Sequence, residues 1–292
     1  MSKRPRDQSF ARLVAAAANN PAAGRPARHG EGREPFAKPA LRVFTTTLWE
    51  YPSQHYGGTI QGDKGYVGAT PSWVIWQLLQ RYTREGDLVI DPMCGSGTTL
   101  DVARDLKRRG LGYDLAPSRP DIFRADARAI PVEPGKADFV FIDPPYSTHV
   151  DYSDDPDCIG KLDAADPRGG YFEAMSRVFA EAFRVLREKR HLAVYVSDSW
   201  KKRPPGSGLP SFMPIGFELF AMLRQNFEPV DIVCVVRRNA KLKKGNWARA
   251  AEEGNFFLRG FNYLMIVRKP PGSGAAAAAE PAPRPRKPRV RP

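Results

Sequence analysis

Three short segments hold residues whose types and spacing suit chemistry. The first is Asp91-Pro92-Met93-Cys94-Gly95-Ser96-Gly97-Thr98-Thr99, set between an apolar run and a helical pattern. Gly95 and Gly97 let the backbone turn sharply and approach a ligand closely. The N–H groups that open the next helix, around Thr98 and Thr99, suit a carboxylate or other anion. The second is Asp114, 23 positions beyond Asp91 and at the end of the next apolar run. An acid about 20 residues past such a loop is placed to hold ribose hydroxyls. The third is Asp143-Pro144-Pro145-Tyr146, which follows the apolar run DFVFI directly.

Three cofactors compete for the glycine loop. A phosphate-cradling loop needs Lys after its last glycine, where Thr98 stands, and a dinucleotide loop needs a third glycine, where Leu100 stands. S-adenosylmethionine carries a carboxylate and no phosphate, so it needs neither, but it does need the ribose-binding acid. A structural turn capped by Ser96 and Thr98 is the plainer alternative, and Asp91 and Asp114 on either side weigh against it. A second G-x-G, Gly110 and Gly112, lies after a helical pattern and reads as a helix stop.

Asp143–Tyr146 suits a different task. An exocyclic amino group is a weak nucleophile because its lone pair is delocalised into the ring. Asp143 accepting one N–H bond and the Pro144 carbonyl accepting the other would favour the nitrogen as it attacks a methyl sulfonium. The two prolines hold the loop extended and remove competing donors. Tyr146 offers a flat face to a base drawn from its stack. A rigid turn with Asp143 as its cap is the competing reading, and the glycine loop 52 residues earlier weighs against it.

The elements around these segments alternate. Pro71–Thr83 has helical spacing with Pro at its start. Leu88–Ile90 reads as a strand ending at Asp91, Thr98–Arg109 as a helix, Leu111–Leu115 as a strand, and Asp138–Ile142 as a strand. Tyr171–Leu186 is a helix, Leu192–Val196 a strand, and Phe217–Gln225 the neighbourhood of another helix. Val230–Val236 and Tyr263–Val267 are the last strands, and no helical crossover is legible between them. The pattern predicts an α/β, doubly wound and mostly parallel sheet with an antiparallel hairpin at its edge.

DPMCGSGTT followed by DPPY resembles the amino-methyltransferases that act on adenine N6 or cytosine N4 of DNA. The resemblance runs over roughly residues 66–200. It implies a class I, Rossmann-like methyltransferase fold with S-adenosylmethionine as cofactor and no metal. YVGATPSWVIWQLLQRYT is similar to the family's additional cofactor motif and places Thr70 and Pro71 near the cofactor, with Asp91, Pro92, Cys94, Gly95, Gly97, Thr98 and Asp114. RADARAIP resembles the third-strand motif, whose acid, here Asp126, approaches the cofactor's adenine. Asp143, Pro144, Pro145 and Tyr146 become the catalytic set. Asp in first place favours adenine N6, since cytosine N4 enzymes resemble SPPY more often. Met93 stands where the family often has Phe, and no separate target-recognition domain of typical size is visible. Target reading then falls to Ser147–Gly170, Lys201–Pro214 or Arg237–Gly260. The last mixes Arg237, Arg238, Lys241, Lys243, Lys244, Arg249 and Arg259 with Trp247, Phe256 and Phe257, which suits either a nucleic-acid groove or a solvated basic loop.

Of the net charge of +13, residues 1–40 carry +5 and residues 271–292 carry +4. Both stretches are poor in large apolar residues and read as disordered basic arms flanking one folded unit at 41–270. Their charge fits non-specific affinity for nucleic acid and equally fits solvated low-complexity tails. Phe10–Ala18 follows basic residues, but it is short and interrupted by Arg12, so an arm is preferred to a signal peptide. No apolar run is long enough to span a bilayer. Cys94, Cys158 and Cys234 have no metal or disulfide spacing, and His29, His55, His149 and His191 form no ligand set. A cytoplasmic, nucleoid-associated enzyme is expected, with DNA as partner and a cognate restriction enzyme as a second. An RNA base methyltransferase acting on guanine N2 or adenine N6 is the nearest rival. A non-catalytic nucleic-acid-binding protein on the same fold is the other.

Overall fold

Apolar residues two apart along each central strand bury both faces of the sheet on which this chain is built. The computed structural model describes residues 38–148, 150–166, 168–200, 212–237 and 245–273. Apart from 38–40 and 271–273, the two expected arms fall outside the described residues. So do His29, His149, 201–211 and 238–244, the last containing Arg238, Lys241, Lys243 and Lys244.

The strands are β1 (Leu48–Trp49), β2 (Leu88–Asp91), β3 (Arg109–Asp114), β4 (Ile122–Arg124), β5 (Ala137–Ile142), β6 (Leu186–Val196), β7 (Ser199–Trp200), β8 (Phe212–Met213), β9 (Glu228–Val236) and β10 (Phe261–Arg268). The α-helices are α1 (Ser72–Tyr82), α2 (Thr98–Asp105), α3 (Tyr171–Val185), α4 (Ile215–Leu223) and α5 (Gly245–Glu253). Eight strands form one sheet in the order β1-β9-β10-β6-β5-β2-β3-β4, and β7 and β8 pair separately. β4, β3, β2, β5 and β6 run parallel. β10 is antiparallel to both β6 and β9.

This is an α/β, Rossmann-like arrangement: a doubly wound parallel sheet with one reversed strand, β10, slotted between β6 and β9. The hairpin expected of the last two strands is present near the sheet edge, with the two-residue β1 outside it. β10 pairs with a neighbour on each edge, and the burial of Leu264, Met265, Ile266 and Val267 covers both its faces.

The alternation sorts the core into two layers. Phe139 and Phe141 of β5 pack with Trp73, Ile75 and Leu78 of α1 and Val102 of α2. Val140 and Ile142 pack on the opposite face with Met175, Val178 and Ala182 of α3 and Leu219 of α4. β2 and β5 are adjacent, yet the chain leaves them towards opposite halves of the sheet. Their carboxyl ends therefore flank the crevice where such sheets bind ligands. The glycine loop leaves β2 there and Asp143–Tyr146 leaves β5.

Two elements depart from expectation, the first being α5, which lies between β9 and β10 where no helix is read from the sequence. The second involves Gly110 and Gly112. The helix after the glycine loop ends at Asp105, and Lys107 turns the chain with φ of 58°. Gly110 and Gly112 then lie inside β3 and do not stop a helix. Their lack of side chains serves packing. A Cβ at Gly110 would sit 2.9 Å from Leu100 Cδ2, and one at Gly112 would sit 2.6 Å from Cys94 Sγ. β3 is glycine-rich because α2 and the glycine loop press directly on it. Gly112→Ala is expected to cost about 1–3 kcal/mol by overpacking, read as a lower Tm, with part of the loss recovered in Gly112→Ala combined with Cys94→Ala.

Candidate active site

The loop after β2 is closed by its own acids. Asp91 is buried; its Oδ2 accepts Thr99 Oγ1 at 2.5 Å and its Oδ1 accepts the Met93 N–H at 3.1 Å. Asp114 reaches across from β3, accepting the Gly95 N–H at 2.9 Å on Oδ2 and the Ala116 N–H at 3.0 Å on Oδ1. Gly95 and Gly97 have φ of 47° and 77°, the left-handed region that favours glycine. A Cβ at Gly95 would meet the Tyr66 ring at 2.8 Å, and one at Gly97 would meet Arg119 at 2.7 Å. Among the described residues the N–H groups of Thr98 and Thr99 have no acceptor, so they remain free for an anion at the start of α2.

A stretch preceding α1 folds over this loop. Asp63 N–H donates to Ser96 O at 2.8 Å and Gly62 N–H to Asp101 Oδ2 at 2.8 Å. Arg119 braces the same corner, pairing with Asp101 at 2.8 Å and Asp121 at 2.7 Å. These bonds bring Tyr66 onto Gly95.

The cleft has two lobes. One, of about 570 Å³, is lined by Pro92, Asp114, Leu115, Ala125, Asp126 and Ile159, among others. The other, of about 400 Å³, is lined by Thr70, Asp91, Cys94, Gly95, Thr98 and Thr99, among others. Tyr66, Met93, Asp143 and Tyr152 line both, so the lobes meet at the carboxylate that ends β5. Both volumes fall within the usual range for small-molecule sites.

Asp143 is held on both oxygens. Thr70 Oγ1 donates to Oδ2, and Tyr146 Oη donates to Oδ1 at 2.9 Å. Asn262 of β10 backs Tyr146, its Nδ2 lying 3.3 Å from the phenol oxygen. Tyr171 Oη donates to Pro145 O at 2.7 Å and fixes the loop from α3. Loss of water around Asp143 pushes its carboxyl up to about 7, against the opposing pull of Thr70 and Tyr146. Burial moves Asp91 the same way, also to about 7.

The structure thus gathers Thr70, Asp91, Pro92, Cys94, Gly95, Thr98, Asp114, Asp126, Asp143 and Pro145 along one cleft, while Gly97 shapes the loop and Pro71 precedes α1. Asp126 lines the larger lobe with its oxygens bonded to Arg128 at 2.6 and 2.8 Å. Pro144 is buried, and Tyr146 reaches the site through its hydroxyl on Asp143. Part of the Ser147–Gly170 segment, weighed from sequence for target reading, closes the larger lobe through Tyr152, Ser153, Cys158 and Ile159. Sequence reasoning missed Tyr66 and Tyr152; Tyr66 opens the YVGATPSW segment and was the more accessible of the two. Among the described residues no cluster of His, Cys, Asp or Glu could hold a metal, and no helix is long and apolar enough to cross a membrane.

The donor set suits an amino-acid nucleoside. One lobe offers free N–H groups to a carboxylate and an apolar path past Met93. The other offers Asp114, whose oxygens each hold one backbone bond and retain lone pairs for hydroxyls, and apolar lining from Pro92, Leu115 and Ile159. S-adenosylmethionine fits both halves.

Residues 7–124 match the model of the N6/N4 DNA methylase family. The chain is 43% identical over 53 residues to the type II methyltransferase M.HindIII of Haemophilus influenzae, covering 18% of this chain and 17% of that protein. It is 31% identical over 70 residues to M.HpaI of Haemophilus parainfluenzae, covering 24% and 22%. The matched stretch spans about a fifth of the length of these relatives. Solved structures that resemble the chain include the [4+2]-cyclase SpnF, at 17% identity and TM-score 0.45 over 73% of this chain and 89% of that one. An S-adenosylmethionine-dependent methyltransferase from Methanosarcina mazei has 14% identity and TM-score 0.41 over 66% and 97%.

The two raised carboxyls set a pH dependence. An unfolded Asp titrates near 3.9, so between about pH 4 and 7 the native state holds protons that the unfolded chain has released. Stability should therefore fall as pH rises through that window and level off above it. Thermal unfolding of the ligand-free protein from pH 4.5 to 8 is expected to show this decline, and to show a weaker one in Asp143→Asn, where Asp91 alone contributes.

Proposed function

With the chain taken as a member of the DNA amino-methyltransferase family, we propose that it transfers a methyl group from S-adenosylmethionine to an exocyclic amino group of a DNA base, adenine N6 in preference to cytosine N4. The observation that carries this reading is Asp143, a desolvated carboxylate at the junction of the two lobes. Bound there, S-adenosylmethionine supplies the methyl group. Asp114 would hold its ribose hydroxyls, the N–H groups of Thr98 and Thr99 its carboxylate, and Pro92, Leu115 and Ile159 its base.

The chain's own residues act on the amine. Asp143 accepts one of its N–H bonds and the Pro144 carbonyl accepts the second, so that the nitrogen lone pair turns out of the ring plane and towards the donor. Thr70 holds Asp143 Oδ2 and leaves Oδ1 for the amine, which displaces the Tyr146 hydroxyl. A released Tyr146 ring can then lie against the base and help offset the cost of drawing it from the stack, about a few kcal/mol. The DPPY resemblance supports adenine, since cytosine enzymes resemble SPPY more often.

Labelled methyl transfer to DNA and to RNA, followed by nucleoside analysis, tests the reading: N6-methyladenine from DNA is expected, and label on RNA alone would replace it with the rival. Asp143→Ala should abolish transfer while cofactor binding, followed by titration calorimetry, stays within about threefold; Asp114→Ala should lose cofactor binding. Transfer should rise with pH to a plateau above about 7, because Asp143 accepts the amine only when ionised.

A further inference from the structure

The buried part of β10 is apolar except at Asn262. That residue is 4% exposed, in the strand that also buries Leu264, Met265, Ile266 and Val267. Its Nδ2 donates to Tyr146 Oη at 3.3 Å. Its Oδ1 is buried and has no hydrogen-bond partner among the described residues. An amide oxygen left unpaired in such a setting is costly, and a leucine would fill the same place without that cost. The oxygen is sealed from solvent, so no arriving ligand can reach it. Any partner must come from inside the protein, and the amide already touches Tyr146.

The chemistry of a phenol explains why an amide stands there. A phenol has one hydrogen to donate and lone pairs with which to accept. In the resting site the hydrogen goes to Asp143 Oδ1, so Asn262 can meet the Tyr146 oxygen only as a donor, through Nδ2. When an amine takes Asp143 Oδ1, that hydrogen is left over and needs an acceptor. A half-turn about the Asn262 Cβ–Cγ bond brings Oδ1 to the place of Nδ2. This torsion is broad and two-fold, and no bond to Oδ1 holds it in its present setting. One amide atom is unpaired before the turn and at most one after it, so the turn itself costs little.

We propose that Asn262 is a positioning residue that takes over the Tyr146 hydroxyl when the target amine displaces it from Asp143. The inference rests on the function proposed above and deepens it, because it names what lets the displacement proceed. The carboxylate, the amine and the phenol all end the exchange with partners. The ring stays anchored at its hydroxyl as it meets the base. No aliphatic residue could serve both states, and a residue that only donates or only accepts could serve one.

The target site is first mapped by labelled methyl transfer to genomic DNA. Duplexes carrying it are then made with the target base intact or lacking its amino group. With S-adenosylhomocysteine bound, the wild-type protein should hold the intact duplex more tightly, and Asn262→Leu should shrink that preference by about tenfold. In a Tyr146→Phe background no hydroxyl needs a new partner, so adding Asn262→Leu should change the preference by less than about twofold. The kcat/KM for transfer should follow the same pattern. Cofactor affinity should be equal in every variant, and the Tm of Asn262→Leu should be no lower than that of the wild type, since an unpaired buried oxygen has been removed. Asn262→Ala, too small to clash, repeats the cycle. Equal losses in both backgrounds, as a purely structural role would give, or no loss in either, would overturn the proposal while leaving the methyltransferase reading intact. Absence of transfer to any DNA would overturn both.

Discussion

A carboxylate kept from water is stable only if donors are brought to it, and Asp143 draws its donors from distant parts of the chain. Thr70 comes from the stretch before α1, Tyr146 from the loop after β5, and Asn262 supports Tyr146 from the reversed strand β10. No local piece of sequence could assemble that set. The sheet does so by placing β5 at its centre, with α1 on one face and β10 one strand beyond β6. The same loss of water that raises the carboxyl makes its oxygens stronger partners for an N–H group. The cost of burial and the capacity to bind an amine have one origin.

The two acids around the glycine loop divide their labour differently. Asp91 spends both oxygens on Thr99 and Met93, inside the loop it closes. Asp114 also anchors the loop through Gly95, yet it lines the larger lobe and keeps lone pairs facing it. Two residues that look alike in the motif thus differ in what they can offer a ligand, and the difference lies in exposure and not in type. Tyr66 and Arg119 finish the loop from outside, each filling space that a glycine leaves open.

Local chemistry made much of this legible in advance. Periodicity located α1, α3, β2, β3 and β5 to within about two residues, while β6 starts six residues before the strand read from sequence, and the two motifs fell on the carboxyl ends of adjacent strands. The reading failed at Gly110 and Gly112. There the decisive contacts, with Leu100 and Cys94, come from a packed helix and a loop that pattern alone does not place against the strand. Tyr152 was missed for a similar reason: a lone tyrosine in an irregular stretch carries no period, and only the fold returns it to the cleft. The sequence singled out Asp143, but its partnership with Thr70, 73 residues earlier, needed the tertiary structure.

The clasp between Tyr146 and Asp143 has a consequence for selectivity. On the proposed function, a base arriving at this carboxylate would gain nothing by simple addition, because the oxygen it seeks is already bonded. It must trade places with a phenol. A base that presents an amino group can make that trade and leave every buried atom satisfied. A base that presents a carbonyl at the same position sets oxygen against oxygen and leaves the carboxylate with one partner fewer, a penalty that polar sites turn into strong rejection. On the proposed reading, the resting pair acts as a standing competitor, setting a threshold that thymine O4 and guanine O6 fail to cross.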